Sequence, residues 1–326
     1  MNVMRRLCWF GAIVLFAMSA LSAGPASAQS WPQRTVHFYV PLGAGSGADI
    51  SGRLLADRLA KKWGQPVVVE NRPGGDGIVA IGAFVAARDD HVLLYSPSSS
   101  FTAHPYLRDN LPYKPSDLAP IARVSNTIIA ISVPSALPVQ TLDELIKRIR
   151  AEPGTMNWAG VTGALDFLFE AFLKKHDLRI SKVPYRNTVD AANDLAEGRI
   201  QVYRSAYAIV RPRLLSGKIR VLAVSNSERA AATPDTPTVA EAGYPDLTID
   251  GLVGLFGPPS MPLALRERIA ADVKAVMDAD PEIAQRLTST GQFVNPGGPK
   301  EFGASIEQQR AHMAEAAKEL GVKSKQ

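Results

Sequence analysis

The stretch Pro41-Leu42-Gly43-Ala44-Gly45-Ser46-Gly47-Ala48-Asp49 carries the residues best suited to grip an anion. Its glycines alternate, so the backbone can come close to a ligand without interference from Cβ atoms. The run Ile50–Trp63 behind it has helical spacing, and a helix start offers free N–H groups and a positive dipole end. Main chain alone then makes a site for phosphate or carboxylate. The same residues also satisfy the dinucleotide pattern as Gly43-x-Gly45-x-x-Ala48. The next apolar run, Val67–Glu70, ends in an acid where a ribose-binding carboxylate would sit. An NAD(P)-dependent oxidoreductase, an anion receptor and a plain glycine turn all remain open on this loop.

Other chemistry is thinly supplied. The histidines His37, His91, His104, His176 and His312 are scattered, without the H-E-x-x-H spacing of a zinc site. Asp89-Asp90-His91 is the nearest cluster, and it reads as a solvated turn. Ser46 lies in Gly45-Ser46-Gly47, which is not the spaced G-x-S-x-G elbow of a hydrolase. The run Ser98-Ser99-Ser100 is either a turn or a set of hydroxyl donors. No catalytic set and no metal site emerges, so the reading is of a protein that is not an enzyme and needs no cofactor.

The N-terminus bears on the same choice. Arg5 and Arg6, the apolar run Leu7–Leu21 and the small-residue motif Ala26-Ser27-Ala28 form a secretory signal peptide over residues 1–28. Cys8, the only cysteine, lies at the start of the hydrophobic run and not at its end, so it does not read as a lipid-bearing residue, and cleavage after Ala28 removes all thiol chemistry. Export argues against a freely dissociating nicotinamide cofactor, which is held inside the cell. The mature chain of 298 residues keeps 34 basic and 31 acidic residues, a net charge of +3 without a basic block. Nucleic acid is therefore excluded as a partner. The length favours two lobes over one core.

The elements that must position the glycine loop follow a β-α-β-α-β order. Thr35–Val40, Val67–Glu70 and His91–Tyr95 read as buried strands, with helices at Asp49–Trp63 and Ile78–Arg88 between them. In such a sheet ligands bind beyond the carboxyl ends of the strands. The loops there are Leu42–Ala48, the Asn71–Gly77 turn and Ser96–Ser100. A second α/β unit follows. Its strands are Ile128–Val133, Met156–Ala159, Ile180–Tyr185, Ile200–Tyr203 and Ile219–Val224. Its helices are Leu142–Glu152, opened by a Thr141-x-x-Glu144 capping box, then Leu165–His176, Val189–Glu197 and Tyr207–Ser216. Gly160-Val161-Thr162-Gly163 again joins a strand to a helix start, so two loops facing each other would hold a small anion from both sides. A short helix Thr238–Ala242, a strand Leu252–Phe256 and helices Leu263–Asp278, Pro281–Ser289 and Pro299–Leu320 complete the chain.

The order of motifs resembles one family, the Bug-type periplasmic receptors, which are the substrate-binding proteins of tripartite tricarboxylate transporters. The stretches that carry the resemblance include Val40-Pro41 through Gly47-x-Asp49 with Arg53, and Gly64-Gln65-Pro66 through Glu70-Asn71-Arg72-Pro73-Gly74. They continue with Leu111-Pro112-Tyr113-Lys114-Pro115, Val183-Pro184-Tyr185, Pro234-Asp235-Thr236-Pro237 through Gly243, and Gly254-Leu255-Phe256-Gly257-Pro258.

This resemblance implies an α/β fold, a two-lobed periplasmic binding protein of type II (a Venus flytrap) with a doubly wound sheet and flanking helices in each lobe. Lobe 1 would take residues 29–123 and 246–326, and lobe 2 residues 124–245. It implies capture of a small organic carboxylate by a monomer that serves membrane transporter subunits; an orphan sensor receptor would share the same pocket. The ligand would meet Leu42, Gly43, Gly45, Ser46, Gly47, Ala48, Asp49, Ser98 and Ser99 from one lobe. From the other it would meet Gly160, Val161, Thr162, Tyr185, Arg186, Arg204 and Ser205. Departures from the family pattern fall on the second loop, on Leu252 in place of a tryptophan, on Asp90-His91-Val92, and on Arg204-Ser205, where the family carries an apolar residue and an acid. Arg204, at the carboxyl end of its strand, is expected to meet a second acidic group, pointing to a dicarboxylate or an aromatic acid.

Overall fold

The computed structural model describes residues 31–161, 163–185 and 187–325. The expected leader, Met1–Ala28, lies outside them. Residues 31–34 belong to an N-terminal unit, Met1–Arg34, in which the Trp31–Pro32 peptide bond is cis. The rest of the chain, Thr35–Gln326, forms a second unit built on two sheets.

The first sheet takes the expected β-α-β start. Strand β1 (Val36–Val40) buries Val36, Phe38 and Val40 on alternate positions, as a pleated strand must. Helix α1 (Gly47–Trp63) follows and ends at Gly64, whose left-handed φ of 66° lets its N–H close on Ala60 O. Strand β2 (Val67–Asn71), helix α2 (Ile78–Ala87) and strand β3 (Val92–Pro97) complete the unit, with β1 parallel to both β2 and β3. Two further strands join this sheet without having been read from the sequence: β4 (Ala119–Thr127) and, near the end of the chain, a strand at Gln292–Gly297. Both are broken by proline and polar residues, and long-range pairing holds them rather than pattern.

The second sheet begins directly after β4. Strand β5 (Ile129–Pro134) is separated from β4 by Ile128 alone, so the chain passes from one sheet to the other within a residue. Helix α3 (Leu142–Ala151) starts from Thr141, whose Oγ1 accepts the Glu144 N–H, as the capping box predicts. Then come strand β6 (Asn157–Gly160), helix α4 (Ala164–Lys175), strand β7 (Ser181–Lys182), helix α5 (Thr188–Ala196), strand β8 (Val202–Ala206), helix α6 (Tyr207–Leu215) and strand β9 (Ile219–Val224). The strand expected over Ile180–Tyr185 shrinks to two residues. It lies at the sheet edge, and Pro184 has no N–H to extend it. Thr238–Ala242 is a turn rather than a helix: Thr238 and Glu241 make the reciprocal bonds of a capping box, but Gly243 follows at once.

The chain returns to the first sheet as β10 (Gly251–Gly257), antiparallel to β3 and β4. Helices α7 (Leu263–Ala279) and α8 (Pro281–Ser289), strand β11 (Gln292–Gly297) and helix α9 (Pro299–Leu320) close the fold. The sheet orders are β11-β4-β10-β3-β1-β2 and β7-β6-β8-β5-β9. Both are mixed: β4, β5, β10 and β11 run antiparallel to neighbours because the chain crosses between sheets instead of winding through one.

The crossings are tied together by backbone and by one amide. Ser225 N–H donates to Ile129 O at 2.7 Å, and Ile249 N–H to Ser225 O at 2.8 Å. Asn226 accepts from the Ile129 N–H and donates to Thr127 O, each at 2.9 Å. An apolar seam of Ile129, Leu165, Phe167, Leu168 and Met313 runs alongside, joining α4 to α9. Among the described residues, no helix is long and apolar enough to cross a membrane.

Candidate ligand site

The β1–α1 loop has a single organiser, Asp49. One carboxylate oxygen accepts the Gly45 N–H at 2.9 Å, and the other accepts Asn71 Nδ2 and Arg53 Nε, each at 2.9 Å. Asn71, at the end of β2, also donates to Leu42 O at 3.0 Å. Burial alone would raise the Asp49 pKa, but these donors together hold it below the ordinary carboxylate value. Ser46 caps α1 by accepting the Asp49 N–H at 3.2 Å. Gly45 sits at φ 82°, the left-handed region that suits glycine. Gly47 is pinned from outside, its carbonyl accepting Gln292 Nε2 at 3.0 Å.

The consequence is a loop held open with donors to spare. Leu42, Gly43 and Gly45 are exposed, while Ala48 and Asp49 are buried beneath them. The N–H groups of Gly43, Ala44, Gly47 and Ala48 find no acceptor among the described residues. Together with the α1 dipole they suit a carboxylate. Asp49, expected among the ligand contacts, is instead spent on the loop's own geometry.

The dinucleotide alternative loses its acid here. Glu70 accepts from Arg72 at 2.9 Å and pairs with His37 at 2.6 Å, and Arg72 lies over the Tyr39 ring. Burial works against ionisation of Glu70, but Arg72 and His37 outweigh it, so its pKa is lowered. The carboxylate is committed to these partners.

The other expected contacts divide. Ser98 is fully buried and donates to Gln309 Oε1 of α9 at 2.6 Å, so it fastens α9 to the loop after β3 rather than facing a ligand. Ser99 begins the short helix Ser99–Thr102 and is half-buried. On the second sheet, Gly160 and Val161 are both partly accessible at the end of β6. A Cβ on Gly160 would lie 2.0 Å from Asp166 Oδ1, so glycine is required there. Tyr185 donates to Asp194 Oδ2 at 2.6 Å, and burial together with that carboxylate pushes its phenol up to about 12. Thr162 and Arg186 lie outside the described residues. Ser205 is buried, its hydroxyl donating to Ala206 O at 3.3 Å.

Arg204 requires a correction. It is 1 % exposed, its guanidinium buried among the elements packed on the second sheet. It donates to Leu165 O at 2.8 Å, to Leu247 O at 2.9 Å and to Ser225 Oγ at 3.3 Å. Burial lowers its pKa to about 10, opposed by the negative charge of Asp166. The position at a strand's carboxyl end is as expected. The carbonyls of the α4 first turn and of the 245–247 turn, however, draw the side chain inward. Arg204 therefore braces α4, whose start carries the second loop, against the segment that crosses back to the first sheet.

Two residues not assigned to the site from the sequence stand where the loops meet. Asp76 lies in the Gly74–Gly77 turn after β2, and a Cβ built on Gly163 would come within 3.0 Å of its Oδ2. His104, fully buried, lies 3.5 Å from the same oxygen through Nε2 and 2.5 Å from the Tyr113 hydroxyl through Nδ1. The Asn71–Gly77 turn was legible as a strand-end loop; the meeting with Gly163 depends on the packing of the two sheets. Asp89, Asp90 and His91 do cluster closely enough to offer ligand atoms to a cation, with His91 Nδ1 2.6 Å from Asp90 Oδ1.

Comparison with known proteins identifies a family. Residues 52–321 match the model of the tripartite tricarboxylate transporter family receptor. Protein BugT of Bordetella pertussis is 32% identical over 290 residues, covering 86% of this chain and 88% of that protein. A UPF0065 protein of Bordetella bronchiseptica is 29% identical over 306 residues, covering 93% of this chain and 91% of that protein. Among solved structures, the periplasmic binding protein BugD superposes with a TM-score of 0.72 at 26% identity, covering 90% of this chain and 99% of that one. R. palustris Rpa4515, solved with adipate, gives 0.76 at 26% identity with the same coverage. With two α/β sheets, a glycine loop rich in unspent amides and a family match over most of its length, this chain belongs to the receptor family of the tripartite tricarboxylate transporters.

Proposed function

We propose that this protein is a periplasmic receptor that captures a small carboxylate-bearing organic anion and delivers it to membrane transporter subunits. The observation that carries the reading is the set of main-chain donors left over on the β1–α1 loop, at Gly43, Ala44, Gly47 and Ala48, in front of a helix N-terminus. The relative from R. palustris solved with adipate supports a carboxylate as the cargo. One lobe takes the first sheet, with residues through Thr127 and from Gly251 onward, and the other the second sheet, from Ile129 to Ile249; β4 stays with the first sheet as far as Thr127, so the boundary lies at Ile128 rather than between 123 and 124. The stitched crossings at Thr127–Ile129 and Ser225–Ile249 serve as the hinge. Ligand bridging the two loops favours the closed arrangement by its differential affinity. Cleavage after Ala28 releases the receptor, which works as a monomer without catalysis.

Each charge-assisted hydrogen bond contributes about 1.5–3 kcal/mol. A handful of them, less the ordering costs, gives affinities of about micromolar, tight enough to capture and weak enough to release. Calorimetry against mono-, di- and tricarboxylates tests the reading, with scattering to follow compaction on saturation. Binding of none of these acids, alongside tight binding of NADH, would overturn it.

A further inference from the structure

The geometry points to Asp76 as the residue that selects the ligand: the captured acid also bears a hydrogen-bond-donating nitrogen, an ammonium or carboxamide, set against the Asp76 carboxylate. This rests on the carboxylate-receptor reading and narrows it.

The turn that carries Asp76 is seated among the loops at the strand ends. It closes with the Gly77 N–H on Gly74 O at 3.0 Å, and a Cβ on Gly77 would touch Pro41 and Ser100, each at 3.3 Å. Asp76 itself adopts φ 58°, a left-handed conformation that few residues other than glycine, asparagine and aspartate take readily. This conformation sets its carboxylate beside Gly163, at the start of the helix that follows the second loop. An acid thus stands at the point where the two sides of the site come together.

That acid is incompletely satisfied. Among the described residues its one charged partner is His104, and the 3.5 Å separation is longer than a normal hydrogen bond. His104 Nε2 is buried and makes no hydrogen bond with any of the described residues. A carboxylate accepts about four hydrogen bonds, so most of the acceptor capacity of Asp76 is left for whatever enters between the loops. The Asp76 side chain is 21% exposed, enough for a ligand atom to reach it.

The two ends of the site therefore differ in sign. The β1–α1 loop offers N–H donors to a carboxylate, and Asp76 offers acceptors. A second carboxylate placed against Asp76 meets like charge, whereas an ammonium or amide N–H gains a charge-assisted bond. The buried Arg204, which would have received a distal acid, is bonded to protein carbonyls instead.

The test is calorimetry of the purified protein with chain-matched acids: succinate, succinamate and 4-aminobutyrate, then glutarate, glutaramate and 5-aminopentanoate. The nitrogen-bearing acids are expected to bind about tenfold tighter or more than the matched dicarboxylates. Asp76→Asn removes the charge at a residue type that tolerates this φ, and Asp76→Gly removes the side chain. Both should abolish that preference while leaving the unfolding midpoint close to wild type. Dicarboxylates that bind as tightly as the nitrogen-bearing acids, with both variants leaving that ranking unchanged, would overturn the role of Asp76 and leave the carboxylate reading standing. Failure of every acid in the series to bind would remove both.

Discussion

Replacing Asp49 with alanine takes away the acceptor that holds the β1–α1 loop in shape. Three donors converge on it: the Gly45 N–H, Asn71 Nδ2 and Arg53 Nε, all at 2.9 Å. Hydrogen bonds to a charged group contribute about 1.5–3 kcal/mol each, but the half-exposed Arg53 recovers water when the carboxylate is gone and Asn71 keeps its bond to Leu42 O, so the expected loss is about 2–4 kcal/mol. Urea unfolding of Asp49→Ala measures it, with the slope unchanged if only the folded state is affected.

Ligand affinity should fall as well, because Gly45 and its neighbours lose the geometry that aims their amides. Asp49→Asn gives the sharper contrast: its amide N–H groups would face two donors at the same place. The pH dependence has a definite sign. Asp49 is held below its ordinary value of 3.8 in the folded protein, so its stabilisation is present above that value and is lost as pH falls through the folded pKa. Acid unfolding of Asp49→Asn should therefore show a shallower loss than wild type from about pH 5 downward. Wild-type stability and affinity in Asp49→Ala would refute the argument that this carboxylate organises the loop.

Other substitutions separate structure from recognition. Gly45→Ala meets no atom within 4 Å but forces alanine to φ 82°, so it should cost about 1–2 kcal/mol through backbone strain alone and show in the unfolding midpoint. Gly160→Ala drives a methyl to 2.0 Å from Asp166 Oδ1, and should destabilise by about 1–3 kcal/mol while lowering ligand affinity; a thermal melt and a titration read the two effects. Arg204→Met leaves the Leu165 and Leu247 carbonyls without their donor, for a loss of about 1–3 kcal/mol in denaturant. Mono- and dicarboxylates should weaken alike in that variant; a selective loss of dicarboxylates would return Arg204 to the ligand.

Much of the fold was legible because its signals are local. The apolar and β-branched run Thr35–Val40, the Thr141–Glu144 box and the glycine stop at Gly64 act through neighbours in sequence, and each appears where the pattern put it. The glycine loop was legible for the same reason, since alternating glycines before a helix start determine a backbone with donors whatever lies around it. Strands β4 and β11 were not, because their partners lie far away in the chain and their own residues include prolines and glycines. Local pattern placed Arg204 at the end of β8, and it was three groups from distant segments, Leu165 O, Leu247 O and Ser225 Oγ, that decided which way the guanidinium turned. Asp76 shows the converse: an unremarked acid in a glycine turn becomes the residue facing Gly163 once two sheets, joined by crossings at Thr127–Ile129 and Ser225–Ile249, bring their loops together. Residue types and spacing determined the elements and the donors. Side-chain direction and the meeting of the two loops were decided by packing between segments that no local pattern connects.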